Sequence, residues 1–205
     1  MNSYYRKQTP PLSNKKTFIE IRNGSKTHIL VGKRHSSKYR HRGRILITPR
    51  DASPYGQRTR MWLVKQAVKS QVFRNGMRWT YKNFCDAIAS QHISIFTSLT
   101  YIRRNTLLLK SILVARLMGD ETEILMYSVH PLFRRKGLGK SFLTTCMDYL
   151  KFFGAESMYL EVAATNRPAI LMYKSCGFVI TGIRKNYYTF SSRKKIDALL
   201  MWRQL

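Results

Sequence analysis

The stretch Val129-His130-Pro131-Leu132-Phe133-Arg134-Arg135-Lys136-Gly137-Leu138-Gly139-Lys140 constrains the fold more than any other part of the chain. To its left, Glu123 to Val129 reads EILMYSV, which is the composition of a strand. To its right, Phe142, Leu143, Cys146, Met147, Leu150 and Phe153 recur at helical spacing as far as Gly154, a natural C-terminal cap. Two glycines and a group of cations therefore occupy a strand-to-helix junction. The first N–H groups of a helix lack partners and carry partial positive charge, and glycine admits a ligand close to them. The junction reads as a phosphate-binding site.

The string GLGKS invites a nucleotide-binding P-loop, but that motif needs glycine five residues before Gly139, where this chain has Arg134. What remains is Arg-x-x-Gly-x-Gly, formed by Arg134, Gly137 and Gly139. Around it, ordered structure is expected to begin with a strand at Ile45-Leu46-Ile47-Thr48, followed by a turn at Asp51 to Gly56 and a helix presenting Met61, Val64, Val68 and Val72. Thr80 is placed to cap a second helix bearing Phe84 and Ile88. Strands are expected at Ile93 to Leu99, at Ile112 to Met118, and, after a Gly119-Asp120 turn, over the Glu123 run. Beyond the Gly137 helix come a strand from Met158 to Ala163 and a short helix opened near Asn166, with Pro168 in its first turn and Gly177 at its end. Two strands, Phe178 to Tyr187 and Ile196 to Arg203, close the pattern. This is a mixed α/β layer without internal repeats.

Charge bears on partners. The 205 residues hold 37 Lys and Arg against 10 Asp and Glu, a net charge of +27, and the first 50 contain a single acid, Glu20. Such a field favours polyanions such as RNA. Residues 1–44 carry Pro10-Pro11 and the run GKRHSSKYRHRGR with little apolar periodicity, and they read as a mobile basic arm ahead of a single domain over residues 45–205. An Arg-rich, acid-poor N-terminus also resembles an organelle transit peptide. His28, His35 and His41 lack metal-ligand spacing and thiol or acidic companions, so no metal is expected. Cys85, Cys146 and Cys176 are unevenly spaced in apolar segments, as buried thiols of a reducing compartment would be. No apolar run has the length of a membrane span, and a cytoplasmic protein without a membrane partner is expected.

Val129-His130-Pro131, Arg134 to Lys140, Leu160-Glu161-Val162, Asn166-Arg167-Pro168-Ala169-Ile170-Leu171-Met172-Tyr173 and Gly177-Phe178 together resemble the GCN5-related N-acetyltransferases (GNAT). The tail Ile183-Arg184-Lys185-Asn186-Tyr187-Tyr188 is similar to that of the RimI type, the ribosomal-protein-alanine N-acetyltransferases. The resemblance is strong from Glu123 to Met201, fainter from Trp79, and leaves residues 1–44 outside. It implies the GNAT fold, a mixed, mostly antiparallel central sheet flanked by helices. It also implies acetyl-CoA as co-substrate, lying against Tyr127-Ser128-Val129, with its pyrophosphate on the N–H groups of Arg135, Lys136, Gly137, Leu138, Gly139 and Lys140. Arg134 opens that loop, Asn166 matches a cofactor-contacting asparagine, and Glu161 and Tyr173 match the general base and general acid. The chemistry asks for the same types: an amine must lose a proton before it attacks a thioester, and a departing thiolate must gain one.

The sequence departs from the RimI pattern around the expected peptide groove. Arg193-Lys194-Lys195-Ile196-Asp197 keeps one acid, Asp197, where an acidic pair is usual, Arg78 replaces a proline, and Ala163 stands where arginine is common. For the acceptor class, an α-amine of pKa about 7.8 is roughly 30% neutral at pH 7.4, against about 0.1% for a lysine near 10.4, a difference of around 3.5 kcal/mol in deprotonation. A protein N-terminus is therefore the expected acceptor; the resemblance implies that of a ribosomal protein, and the basic charge implies rRNA contact. A GNAT acting on a small amine or lysine, and an RNA-binding protein that keeps the fold, are the alternatives; retention of both Glu161 and Tyr173 argues against the last.

Overall fold

The computed structural model describes residues 16–23, 26–33, 44–47, 65, 79–90, 92–102, 106–189 and 195–205. Its elements in chain order are β1 (Lys16–Asn23), β2 (Lys26–Lys33), β3 (Arg44–Ile47), α1 (Tyr81–Ala89), β4 (Ile93–Ile102), β5 (Thr106–Met118), β6 (Glu121–Val129), α2 (Leu138–Phe152), β7 (Ser157–Ala163), α3 (Arg167–Ser175), β8 (Val179–Thr189) and β9 (Lys195–Gln204). The strands form one sheet in the order β1-β2-β3-β4-β5-β6-β7-β9-β8. Every neighbouring pair is antiparallel except β6 and β7, which are parallel and joined through α2. A parallel pair needs such a crossover, whereas β4, β5 and β6 follow one another through short connections. Two strands, β1 and β2, fall within residues 1–44. The helix expected to present Met61, Val64, Val68 and Val72, and the turn at 51–56, lie outside the described residues.

Local chemistry accounts for the boundaries. Thr80 caps α1 in a reciprocal box: its hydroxyl accepts from the Asn83 N–H at 3.2 Å, and the Asn83 side chain accepts from the Thr80 N–H at 2.8 Å. Chain direction reverses at Gly119, φ 65°, between β5 and β6. Helix α2 stops one residue before Phe153, which lies past the last turn and is exposed, so the apolar face read from the sequence is one residue shorter than expected.

Two apolar layers cover the two faces of the sheet. On one, Phe142, Leu143, Cys146 and Leu150 of α2 and Tyr173 of α3 pack on Leu113, Ala115, Ile124, Met158, Leu160 and Met201. On the other, Phe84 and Ala87 of α1 cover Ile95, Ile112, Val114 and Met126. Full burial of a side chain such as Leu143 or Met158 is worth about 1.5–3 kcal/mol, so these layers fix which face each strand presents.

Candidate active site

Ile124 and Met126 are two residues apart in β6, yet they face opposite layers. Pairing with β5 explains it: Ala115 lies opposite Ile124 and Val114 opposite Met126, which leaves Leu125 as an extra residue, a β-bulge. Bulges bend a strand and increase its twist. Consistent with that, β6 and β7 pair only from Glu121–Ser157 to Ile124–Leu160. Beyond that point β6 continues along β5 as far as Val129, and β7 continues along β9 as far as Ala163. The sheet thus opens into a wedge, with Tyr127-Ser128-Val129 on one side and Glu161-Val162-Ala163 on the other.

Helix α2 begins at the mouth of this wedge. Arg135 at φ 60° and Gly137 at φ 72° turn the chain into the helix, and Gly137 supplies no side-chain cap to its first turn. No acidic residue stands in that turn either. The Tyr127 hydroxyl donates to the Gly139 carbonyl at 2.7 Å, tying the turn to β6. A Cβ on Gly139 would meet Met172 Sδ at 3.5 Å and Tyr127 Oη and Val129 Cγ2 at 3.6 Å, so the turn lies flush on β6 and α3. Arg134 Nε donates to the Val129 carbonyl at 2.8 Å and Lys136 Nζ to the Leu132 carbonyl at 3.1 Å, and both side chains remain exposed, as do Arg135 and Lys140. A helix start without a side-chain cap and ringed by cations fits a pyrophosphate, and the side of β6 that β7 leaves beyond Ile124 fits an extended amide-bearing arm.

Across the wedge, Glu161 sits partly exposed on β7. Arg184 Nη1 of β8 donates to its Oε1 at 2.6 Å, and the same carboxylate lies near enough to Tyr187 to raise the Tyr187 phenol. Burial pushes Tyr188 up to about 12, with the Glu161 and Tyr187 charges adding to the effect. Tyr173 is buried on α3, its ring 6.5 Å from that of Tyr127 and 5.7 Å from that of Phe178. Burial first, then Tyr188 and Cys176, raises its phenol far above the ordinary value. Asn166 is the N-cap of α3, its side chain accepting from the Ala169 N–H at 3.4 Å.

Asp197, the acid retained near the last strand, has a structural task. Its Oδ1 accepts from the Asn186 N–H at 2.8 Å, holding Asn186 at φ 57°. Arg184 pairs with Ala198 and Tyr188 with Ile196, so β8 has three residues opposite Asp197 alone, and this irregularity brings Arg184 and Tyr187 to one carboxylate. Neither partner of Glu161 was legible as such in the sequence; the tail motif that holds them was. Among the described residues no group of three or more His, Cys, Asp or Glu could hold a metal, and no helix is long and apolar enough to cross a membrane. Cys85, Cys146 and Cys176 carry free thiols, and burial raises that of Cys176.

Residues 100–178 match the acetyltransferase (GNAT) family model. The [ribosomal protein bS18]-alanine N-acetyltransferase of Escherichia coli K12 is 35% identical over 88 residues, which are 43% of this chain and 59% of that protein. A putative counterpart in Bacillus subtilis 168 is 36% identical over 83 residues, 40% of this chain and 53% of that protein. The match thus spans a little over half the length of these relatives. Among solved structures, the ribosomal-protein-S18-alanine N-acetyltransferase of E. coli superposes with a TM-score of 0.59 at 26% identity, covering 69% of this chain and 86% of that one. Arabidopsis thaliana NAA60 in complex with acetyl-CoA gives 0.61 at 16% identity over 72% and 94%, a likeness of fold. The wedge between β6 and β7 and the glycine turn beside it both fall within residues 100–178, the segment that is similar to the acetyltransferase (GNAT) family.

Proposed function

We propose that the protein transfers acetyl from acetyl-CoA to the N-terminal α-amine of a protein, a ribosomal protein beginning with alanine. The observation that carries this reading is the wedge itself, with a helix start that has no side-chain cap and is ringed by cations at its mouth, and a partly exposed carboxylate, Glu161, on the opposite wall. Similarity to the bS18-alanine enzymes supports the acceptor class. The N–H groups of residues 135–140 hold the pyrophosphate, with Arg135, Lys136 and Lys140 supplying countercharge, and the edge Tyr127-Ser128-Val129 holds the amide arm. Asn166, whose side chain also caps α3, completes that contact in this reading. Bound acetyl-CoA supplies the acetyl group as an activated thioester. Glu161 accepts the proton that the ammonium must shed before attack, directly or through one water. Tyr173, kept protonated by burial, gives its proton to the departing sulfur and is reprotonated by the one that the attacking nitrogen sheds, through Glu161 or water. The basic surface draws the protein to rRNA, beside which its acceptor is found.

The test is acetylation of free N-terminal peptides followed by mass. Glu161→Gln should lose more turnover near pH 6.5 than near pH 9, because an α-amine of pKa about 7.8 sheds its proton unaided at the higher value. A uniform loss in a folded variant would assign Glu161 to acceptor orientation instead.

A further inference from the structure

Glu161 already has a cation. The Arg184 guanidinium stands 2.6 Å from Oε1, and the pair is open to water, the side chains being 53% and 22% exposed. Arg184 also has a second seat, its guanidinium carbon lying 4.4 Å from the centroid of the Tyr187 ring. Tyr187 in turn lies near enough to Glu161 for the carboxylate to raise its phenol. The three are brought together by the irregularity of β8 opposite Asp197, whose carboxylate fixes the Asn186 backbone. An acceptor α-amine is mostly ammonium near neutral pH, and it must come to this same carboxylate. A guanidinium does not deprotonate in a protein, so it cannot give way by losing charge; it has to move.

We propose that Arg184 is the resident counter-ion of Glu161, displaced by the acceptor's ammonium on binding and returning when the amine has become an uncharged amide. The inference rests on Glu161 being the group that receives the acceptor amine. Arg184 is then a positioning residue. It orients the carboxylate in the free protein and retreats over the Tyr187 ring when a second cation arrives. Its return to the carboxylate after transfer leaves the product unpenalised, since an amide has no charge with which to compete. A half-exposed pair suits such an exchange, since its net worth is small and water takes up the released groups.

The experiment measures binding of two probes in the presence of coenzyme A: a hexapeptide with a free N-terminal alanine and the same peptide N-acetylated. Calorimetry on the wild type, Arg184→Gln and Arg184→Lys is paired with acetylation of the free peptide by mass. Removing the resident cation should tighten the free peptide about two- to fivefold, the worth of a solvent-exposed ion pair, and leave the gap between the two peptides wider than in wild type. Arg184→Lys, which keeps the charge, should bind the free peptide as wild type does. Equal affinities of wild type and Arg184→Gln for the free peptide, with an unchanged melting temperature, would overturn the exchange while acetylation by wild type upheld the function. Equal tightening of both peptides would also overturn it, because a general loosening of the site does not distinguish charge. A wild-type chain that acetylates no free N-terminus refutes the function and the exchange together.

Discussion

Gly137 stands at φ 72° with open space around its missing Cβ, whereas Gly139 has ordinary backbone angles and neighbours at van der Waals distance. The two glycines of the motif are therefore required for different reasons. Alanine at 137 pays the left-handed penalty, about 1–2 kcal/mol, while alanine at 139 adds a methyl that Met172, Tyr127 and Val129 accommodate. Gly137→Ala should lower the thermal midpoint measurably, and Gly139→Ala should leave it near wild type, as read by circular dichroism. Tyr188 gives a second prediction at this scale. Its folded pKa is raised to about 12, so the folded state holds the phenolic proton where the unfolded chain, near 10, has released it. That preference contributes fully below pH 10 and is lost as pH rises through 12. Tyr188→Phe should therefore lose stability less steeply than wild type over that alkaline window, followed by denaturant unfolding at several pH values.

The elements were legible wherever pattern and punctuation agreed. Thr80 capping α1, Gly119-Asp120 turning β5 into β6, Asn166 and Pro168 opening α3, and the helix after Gly137 all stand where periodicity and turn chemistry put them. The glycine junction was legible for the same reason; Glu161 and Tyr173 were singled out by the family resemblance, and they stand on β7 and α3. What was hidden depends on partners distant in sequence. The bulge at Leu125 leaves no mark in the chain, because Ile124-Leu125-Met126 is also what a regular strand covered on both faces carries. The order β7-β9-β8 and the meeting of Arg184 and Tyr187 at Glu161 come from pairing, which no local pattern encodes. Asp197 was noted as a remnant of a groove acid, and its bond to Asn186 makes it a brace for β8. Deleting Leu125 should remove the bulge and its bend while leaving Met126 to Val129 on their present faces, because Met126 would then follow Ile124 directly and alternate with it; β6 would run straighter beside β7 and narrow the wedge. Coenzyme A binding should then fall more than tenfold in calorimetry, while the far-ultraviolet spectrum keeps its mixed α/β form.

At the scale of the whole molecule the dominant quantity is charge. A net +27 repels other basic chains and attracts nucleic acid, which favours an acceptor presented on a ribosomal particle over one free in solution. Each phosphate neutralised by Lys or Arg releases counterions, so log affinity should fall with log salt at about −0.7 to −0.9 per contact. Replacing Arg34, Lys38, Arg40 and Arg42 with glutamine should flatten that slope in sedimentation with ribosomes and leave turnover on a short peptide unchanged. If the slope is unaltered, the recruiting charge lies in the remainder of the chain.

The parallel seam between β6 and β7 has a consequence for how the chain reaches its native state and how long it stays there. The β4-β5-β6 meander and the β8-β9 hairpin can each assemble from neighbours in sequence, but Glu121 and Ser157 meet only after α2 has carried the chain back across the sheet. Contacts that close long loops are made late, so this seam of few rungs is among the later ones to zip and offers a line along which the two halves part. A molecule lying in the wedge against both walls acts as the missing rungs. Occupancy of the site then governs resistance to proteases as well as catalysis, and a cell short of the ligand would hold less of the protein.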